Sequence, residues 1–119
     1  ILQSEGVADT DSFHYRGRSE IASWLTRWTE RDTNAAAPTH GASFVRHHLS
    51  TSLIEFTGPG EALGRTYWTA YTDIGLDHCG VYLDSFQQCD DDWLIAQRKV
   101  RLDWRSPDSL FTTAVTRSR

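Results

Sequence analysis

The feature that most constrains this chain is that nearly everything after residue 43 has the pattern of β-strand. Phe44–Phe56 is rich in Val, Leu, Ile, Thr and Phe, and Gly58-Pro59-Gly60 follows as a turn. Glu61–Thr72 alternates, with Leu63, Arg65, Tyr67, Thr69 and Tyr71 on one face and Ala62, Gly64, Thr66, Trp68 and Ala70 on the other. Asp73–Asp77 reads as the next turn, His78–Cys89 as a third strand, Asp90-Asp91-Asp92 as a tight acidic turn, and Trp93–Arg105 as a fourth strand stopped by Pro107. Long strands joined by short turns make an antiparallel meander.

Before the meander one helix is expected. Ser19 is its candidate N-cap, and Ile21, Trp24, Leu25 and Trp28 fall at i, i+3, i+4 and i+7, one apolar stripe ending near Asp32. Residues 33–43 read as loop, the first 17 as loop with short extended pieces, and the Ser/Thr-rich tail after Pro107 as frayed. Helix first and meander after is the α+β class, in a single domain over residues 1–111 with a flexible tail at 112–119. One short helix leaves much of a four-stranded sheet uncovered. Further helix upstream of Ile1, which is not a Met, and a second subunit on the sheet are both expected to cover it, with Trp68 or Trp104 at the dimer contact.

Composition narrows the function. With 12 basic against 16 acidic residues there is no basic excess or stripe for nucleic acid, and no apolar run long enough for a membrane span. Cys79 and Cys89, about 33 Å apart along an extended strand, cannot pair there. With no secretory pattern, they suit reduced thiols in the cytoplasm. No P-loop, GxGxxG, HExxH or CxxC is present, so no cofactor and no metal are expected. The three consecutive aspartates at 90–92 diverge from one another in a turn and read as solvated.

Four stretches in order carry a family likeness: Gly17-Arg18-Ser19-Glu20-Ile21, Arg46-His47-His48-Leu49-Ser50-Thr51, Gly80-Val81-Tyr82-Leu83-Asp84-Ser85-Phe86, and Asp92-Trp93-Leu94-Ile95-Ala96-Gln97-Arg98 running on to Leu102-Asp103-Trp104. Together they resemble the SnoaL-like branch of the NTF2-like superfamily. The resemblance implies a cone-shaped α+β fold, a helix packed on a curved four-stranded antiparallel meander. It also places the acid/base histidine of the family's dehydratases and lyases at His47, or at His48 if the strand is bulged. Asp91 and Asp92 stand where the family has Gly before the Trp, Thr51 stands for its Asn, and the segment holding the family's usual acid would precede Ile1.

The residues add a rationale. A neutral imidazole among apolar neighbours exchanges protons near neutral pH, and by strand parity His47 shares its face with Val45, Leu49, Thr51 and Leu53. Asp84 or Asp103 would have to orient it; both could instead pair with Arg65, Arg98 or Arg101. His48, Tyr67, Tyr71, Tyr82 and His78 are candidate substrate-binding residues, aromatic walls with polar handles.

The expected function is a cofactor-free enzyme, acting by His-mediated proton transfer on a small hydrophobic or aromatic molecule, of dehydratase, isomerase, cyclase or lyase type. The alternative is a noncatalytic small-molecule-binding or dimerisation module of the same fold, which replaces the enzyme reading if His47 points to solvent or has no carboxylate or hydroxyl partner within hydrogen-bond reach. The small subunit of a ring-hydroxylating oxygenase ranks third.

Overall fold

A computed structural model describes residues 2–6, 14–29 and 41–111, the side chains of 2–6 and 27–29 excepted. The elements are β1 (Leu2–Gly6), β2 (His14–Tyr15), α1 (Gly17–Thr29), β3 (Arg46–Gly58), β4 (Glu61–Thr72), β5 (Gly75–Cys89) and β6 (Asp92–Arg105). The strands form one sheet in the order β2-β1-β6-β5-β4-β3. The expected meander is β3 to β6, antiparallel throughout. It is extended by β1, which runs parallel to β6, with β2 antiparallel at the edge.

Helix α1 starts two residues before Ser19, the expected cap. Gly17 adopts φ +83° at the junction, and Glu20 reaches back to accept the Arg16 amide at 2.8 Å, satisfying one donor that the first turn leaves unpaired. Trp24 packs on Tyr15 with ring centroids 5.6 Å apart. The expected helix end near Asp32, most of the 33–43 loop and the 112–119 tail lie outside the described residues. No helix among the described residues is long and apolar enough to cross a membrane.

Directly paired residues share a face of a sheet, so the register defines both surfaces. Ala62, Trp68, Ala70 and Thr72 of β4 are buried on one face, whereas Leu63, Tyr67 and Tyr71 on the other are exposed. Trp68 is 3% exposed, so it is a core residue of this face and not the surface contact expected of it; Trp104 is 44% exposed.

The buried face interleaves large and small side chains. Trp68 lies over Gly80, where an added Cβ would stand 2.9 Å from the indole and 1.8 Å from the Arg101 carbonyl oxygen. Phe86 lies over Gly64 in the same way, with 2.6 Å to an added Cβ. These glycines are here for close approach.

The pairing register of the meander shifts at five places, and three of these bulges bear on the site. On β3 the pairing steps from Leu49↔Trp68 to Ser52↔Thr66, which adds one residue. On β5 it steps from Ala70↔His78 to Tyr71↔Leu76, leaving Asp77 as the extra residue. On β6, Asp103 is extra between Cys79↔Trp104 and Gly80↔Leu102.

The segment after β6, expected to fray after Pro107, is ordered through residue 111. Residues 106–111 turn back on the end of β5, with the Ser106 amide donating to the Asp77 carbonyl at 2.8 Å and the Ser109 amide to the Ser106 carbonyl at 3.0 Å.

Candidate functional site

His47 on β3 and His78 on β5 both pair with Ala70 of β4, so both stand on the buried face with one methyl group between them. Two strand spacings separate their backbones by about 10 Å. Trp68, two residues along β4, contacts both: its ring centroid lies 5.8 Å from that of His47 and 5.6 Å from that of His78, edge-on to the latter. Tyr82 stacks on the indole at 5.7 Å, and the Arg98 guanidinium lies 4.1 Å above the Tyr82 ring. Phe111, from the C-terminal turn, covers His78 at 5.0 Å.

His78 is the histidine that the fold orients. Its Nδ1 is 2.7 Å from Asp77 Oδ1. Neighbouring strand residues normally point to opposite faces, and the bulge at Asp77 breaks that alternation. The Asp77 carboxylate is fully buried and all its bonding capacity is used. Oδ1 also accepts the Ser109 hydroxyl; Oδ2 accepts the Thr72 hydroxyl at 3.0 Å and the Leu110 amide at 2.9 Å. Burial on its own would raise the Asp77 pKa; the donations from Ser109, Leu110, His78 and Thr72 outweigh it and hold the group below its ordinary value. An ionised Asp77 fixes the proton of His78 on Nδ1 and leaves Nε2 with a free lone pair.

Both imidazoles are held neutral. Burial lowers the His78 pKa, opposed by Asp77 and assisted by Arg105. Surrounding protein lowers that of His47 and the nearby His78 lowers it further, although His47 on the edge strand stays solvent-accessible. Tyr82 is pushed upward by burial, so its phenol stays protonated and can donate.

The other expected residues fall differently. Asp84 does not orient His47. It is paired through Gly64, six residues along β4 from Ala70 or about 20 Å, and Arg98 holds it in a bidentate bridge at 2.8 Å through both oxygens. Asp103 is taken by Arg101 at 2.7 Å. Among the described residues no carboxylate or hydroxyl bonds His47, so the couple expected at His47 is built at His78 instead.

His48, Tyr67 and Tyr71 project from the opposite face: His48 packs on Tyr71 at 4.9 Å, and Tyr67 is 44% exposed. The β3 bulge also removes Thr51 and Leu53 from the His47 face and puts Ser52, Ile54 and Phe56 there. A shallow groove of about 380 Å³ lies on the far face among Leu53, Leu63, Arg65, Leu83 and Lys99, and no histidine lines it. Strand parity hid Asp77, which reads as a turn residue until the bulge is known. The adjacency Asp77-His78 at a turn was its only sequence signal.

Solved structures share this architecture. A candidate scytalone dehydratase from Novosphingobium aromaticivorans superposes with a TM-score of 0.64 at 19% identity, covering 88% of this chain and 65% of that one. The β subunit of a candidate aromatic-ring-hydroxylating dioxygenase from the same organism gives 0.62 at 14% identity, covering 92% and 72%. A protein of unknown function from Mycobacterium tuberculosis gives 0.60 at 24% identity, covering 89% and 56%. This chain thus spans about two thirds of the length of such neighbours, and at these identities the likeness is one of fold. No curated protein matches the chain in sequence. The family model of the SnoaL-like domain matches residues 3–99, and the chain belongs to that family within the NTF2-like superfamily.

Proposed function

We propose that the face between His47 and His78 binds a small planar hydrophobic molecule and that His78 transfers a proton on it without a cofactor, as in a dehydratase or isomerase. The observation that carries this reading is the Asp77–His78 pair opposite a second neutral imidazole across Ala70. The family and the candidate scytalone dehydratase among its structural neighbours support the same general class.

In an elimination, Nε2 of His78 takes the proton from a carbon next to a carbonyl, and the electron pair forms the C=C bond as the C–O bond to the β-hydroxyl breaks. The imidazolium, stabilised by Asp77, returns the proton to the departing hydroxide, so water leaves and His78 is restored. His47, neutral, donates a hydrogen bond to the leaving hydroxyl. In an isomerisation the same proton returns to a different carbon. Trp68, Tyr82 and Phe111 provide apolar walls for a flat ring.

The test is a panel of bicyclic aromatic β-hydroxy ketones followed by ultraviolet absorbance for the conjugated product. His78→Gln should lower kcat/KM by about 10²–10⁴-fold, the range of a positioned general base. Turnover undiminished in His78→Gln refutes the assignment. Saturable binding of the ketones with no turnover returns the domain to the noncatalytic reading, which the unpartnered His47 favours.

A further inference from the structure

The C-terminal turn is tied to the one carboxylate that the candidate chemistry needs. Ser109 is 6% exposed, and its hydroxyl donates to Oδ1 of Asp77, the same oxygen that receives His78 Nδ1. The Leu110 amide donates to Oδ2 at 2.9 Å, the Phe111 amide to Ser109 Oγ at 3.1 Å, and the Phe111 ring rests on His78. A carboxylate oxygen that accepts two donors shares its negative charge between them.

We infer that Ser109 is a positioning residue that sets the basicity of His78 through the shared oxygen of Asp77. The inference rests on the reading of His78 as the proton-transfer group. The groups that face His78 are Asp77 on its own strand, the neutral His47 from β3 and Arg105 from β6; Arg105 opposes protonation of His78 and Asp77 favours it. A full hydrogen bond from Ser109 draws charge away from the bond to His78. Removing that hydroxyl leaves Oδ1 to His78 alone, which strengthens the bond to the imidazolium more than the bond to the imidazole.

The sign is therefore opposite to what loss of a supporting contact suggests. In Ser109→Ala the His78 pKa should rise, by about half to one pH unit, the differential share of one charge-assisted hydrogen bond. Ser109→Thr, which restores the hydroxyl, should return it to the wild-type value. Ser109→Cys, close in size and a weak donor, should fall between and keeps the question open to measurement if the alanine variant fails to fold.

The experiment is an NMR titration of the His78 ring in the full chain, assigned by its loss in His78→Gln, with hydrogen exchange of the Leu110 amide followed in the same samples. The supporting result is an upward shift in Ser109→Ala and Ser109→Cys, rescue in Ser109→Thr, and a Leu110 amide that stays protected. An unchanged or lowered His78 pKa overturns the inference. So does a rise accompanied by lost Leu110 protection, which means that the turn has come away and water has entered. The readout needs no substrate, so it stands or falls separately from turnover: a shifted His78 in a protein that turns over nothing removes the proposed reaction and keeps Ser109 in its role.

Discussion

Asp77 is the residue whose loss should be felt most, and two substitutions separate its duties. In Asp77→Ala the Thr72 and Ser109 hydroxyls can rotate to other partners, but the Leu110 amide cannot, and His78 Nδ1 loses its partner in either tautomer. Two part-buried groups left without partners at about 1–3 kcal/mol each, with the void left by the side chain, predict a loss of about 3–5 kcal/mol. That is a large part of the stability of a small domain, and it corresponds to a melting temperature lower by about 10–20 °C. Asp77→Asn fits the same space and behaves differently. Its amide NH2 does best in place of Oδ1, where the Ser109 hydroxyl can turn to accept and His78 can move its proton to Nε2. The other placement would aim NH2 at the Leu110 amide, which has no alternative. Asp77→Asn should therefore cost only about 1–2 kcal/mol, roughly the difference between charge-assisted and neutral hydrogen bonds. It should nonetheless reverse the tautomer of His78 and remove its free lone pair from Nε2. Urea denaturation measures the first effect and ¹⁵N chemical shifts of the His78 ring the second. An Asp77→Asn protein that keeps the Nδ1–H tautomer at pH 7.5, or an Asp77→Ala protein as stable as wild type, would refute the reasoning.

Three further outcomes are expected. Folding lowers the pKa of His47 and His78, so below about pH 6.5 the unfolded chain binds protons before the folded one. Stability should be full above that pH and fall as the pH drops toward the folded values, with a second loss below the ordinary carboxylate range as Asp77 protonates; a urea midpoint constant between pH 7 and 5, or a slope unchanged in the His47→Gln, His78→Gln double variant, contradicts it. Gly80→Ala should prevent folding or lower the melting temperature sharply, because the added methyl meets the Arg101 carbonyl in the middle of the sheet; a cooperative transition near that of wild type would show that β5 and β6 can part at no cost. The far face of the meander exposes Leu53 at 66%, Leu63 at 50%, Tyr67 at 44% and Trp104 at 44%, and it carries Glu55 with Arg65 and Lys99 around one groove, so two copies should pack there face to face; multi-angle light scattering at micromolar concentration should give twice 13.5 kDa for wild type and less for Leu53→Glu, and a wild-type mass of one chain refutes it.

The fold was legible because it is written in a period. Alternation over Glu61–Thr72 is clean, the turns at Gly58-Pro59-Gly60 and Asp90-Asp91 are marked by the residues that turns require, and the meander followed with ends within three residues. The strand β1 was less legible: five residues, Leu2–Gly6, carry no alternation, and what makes them a strand is the edge of β6 beside them. The site was half legible. His47, His78 and Tyr82 were marked by residue type, and the structure gathers them on one face. Two of the errors share one physical source. Strand parity is a count, and a bulge adds one to it: the β3 bulge moved Leu53 away from His47, and the β5 bulge brought Asp77 round to His78. Tyr67 and Tyr71 were already on the other face from Trp68 by parity, and their aromatic character was read as lining; the register sets Tyr82, which pairs with Thr66, on the Trp68 face and apart from them.

Those bulges are where a regular sheet becomes a site. An unbroken antiparallel pair keeps neighbours such as Asp77 and His78 on opposite surfaces, so a carboxylate adjacent in sequence cannot orient the imidazole beside it. The extra residue at Asp77 removes that restriction within one strand, and the 106–111 turn then closes over the carboxylate to satisfy the oxygens that no strand neighbour can reach. Ala70 completes the arrangement from the other side. It is fully buried between the two histidines, and its small side chain leaves room for both imidazoles to reach the Trp68 ring. The proposed chemistry therefore depends less on the aromatic residues that draw attention in the sequence than on a small residue, a bulge and a turn, each set by backbone pairing.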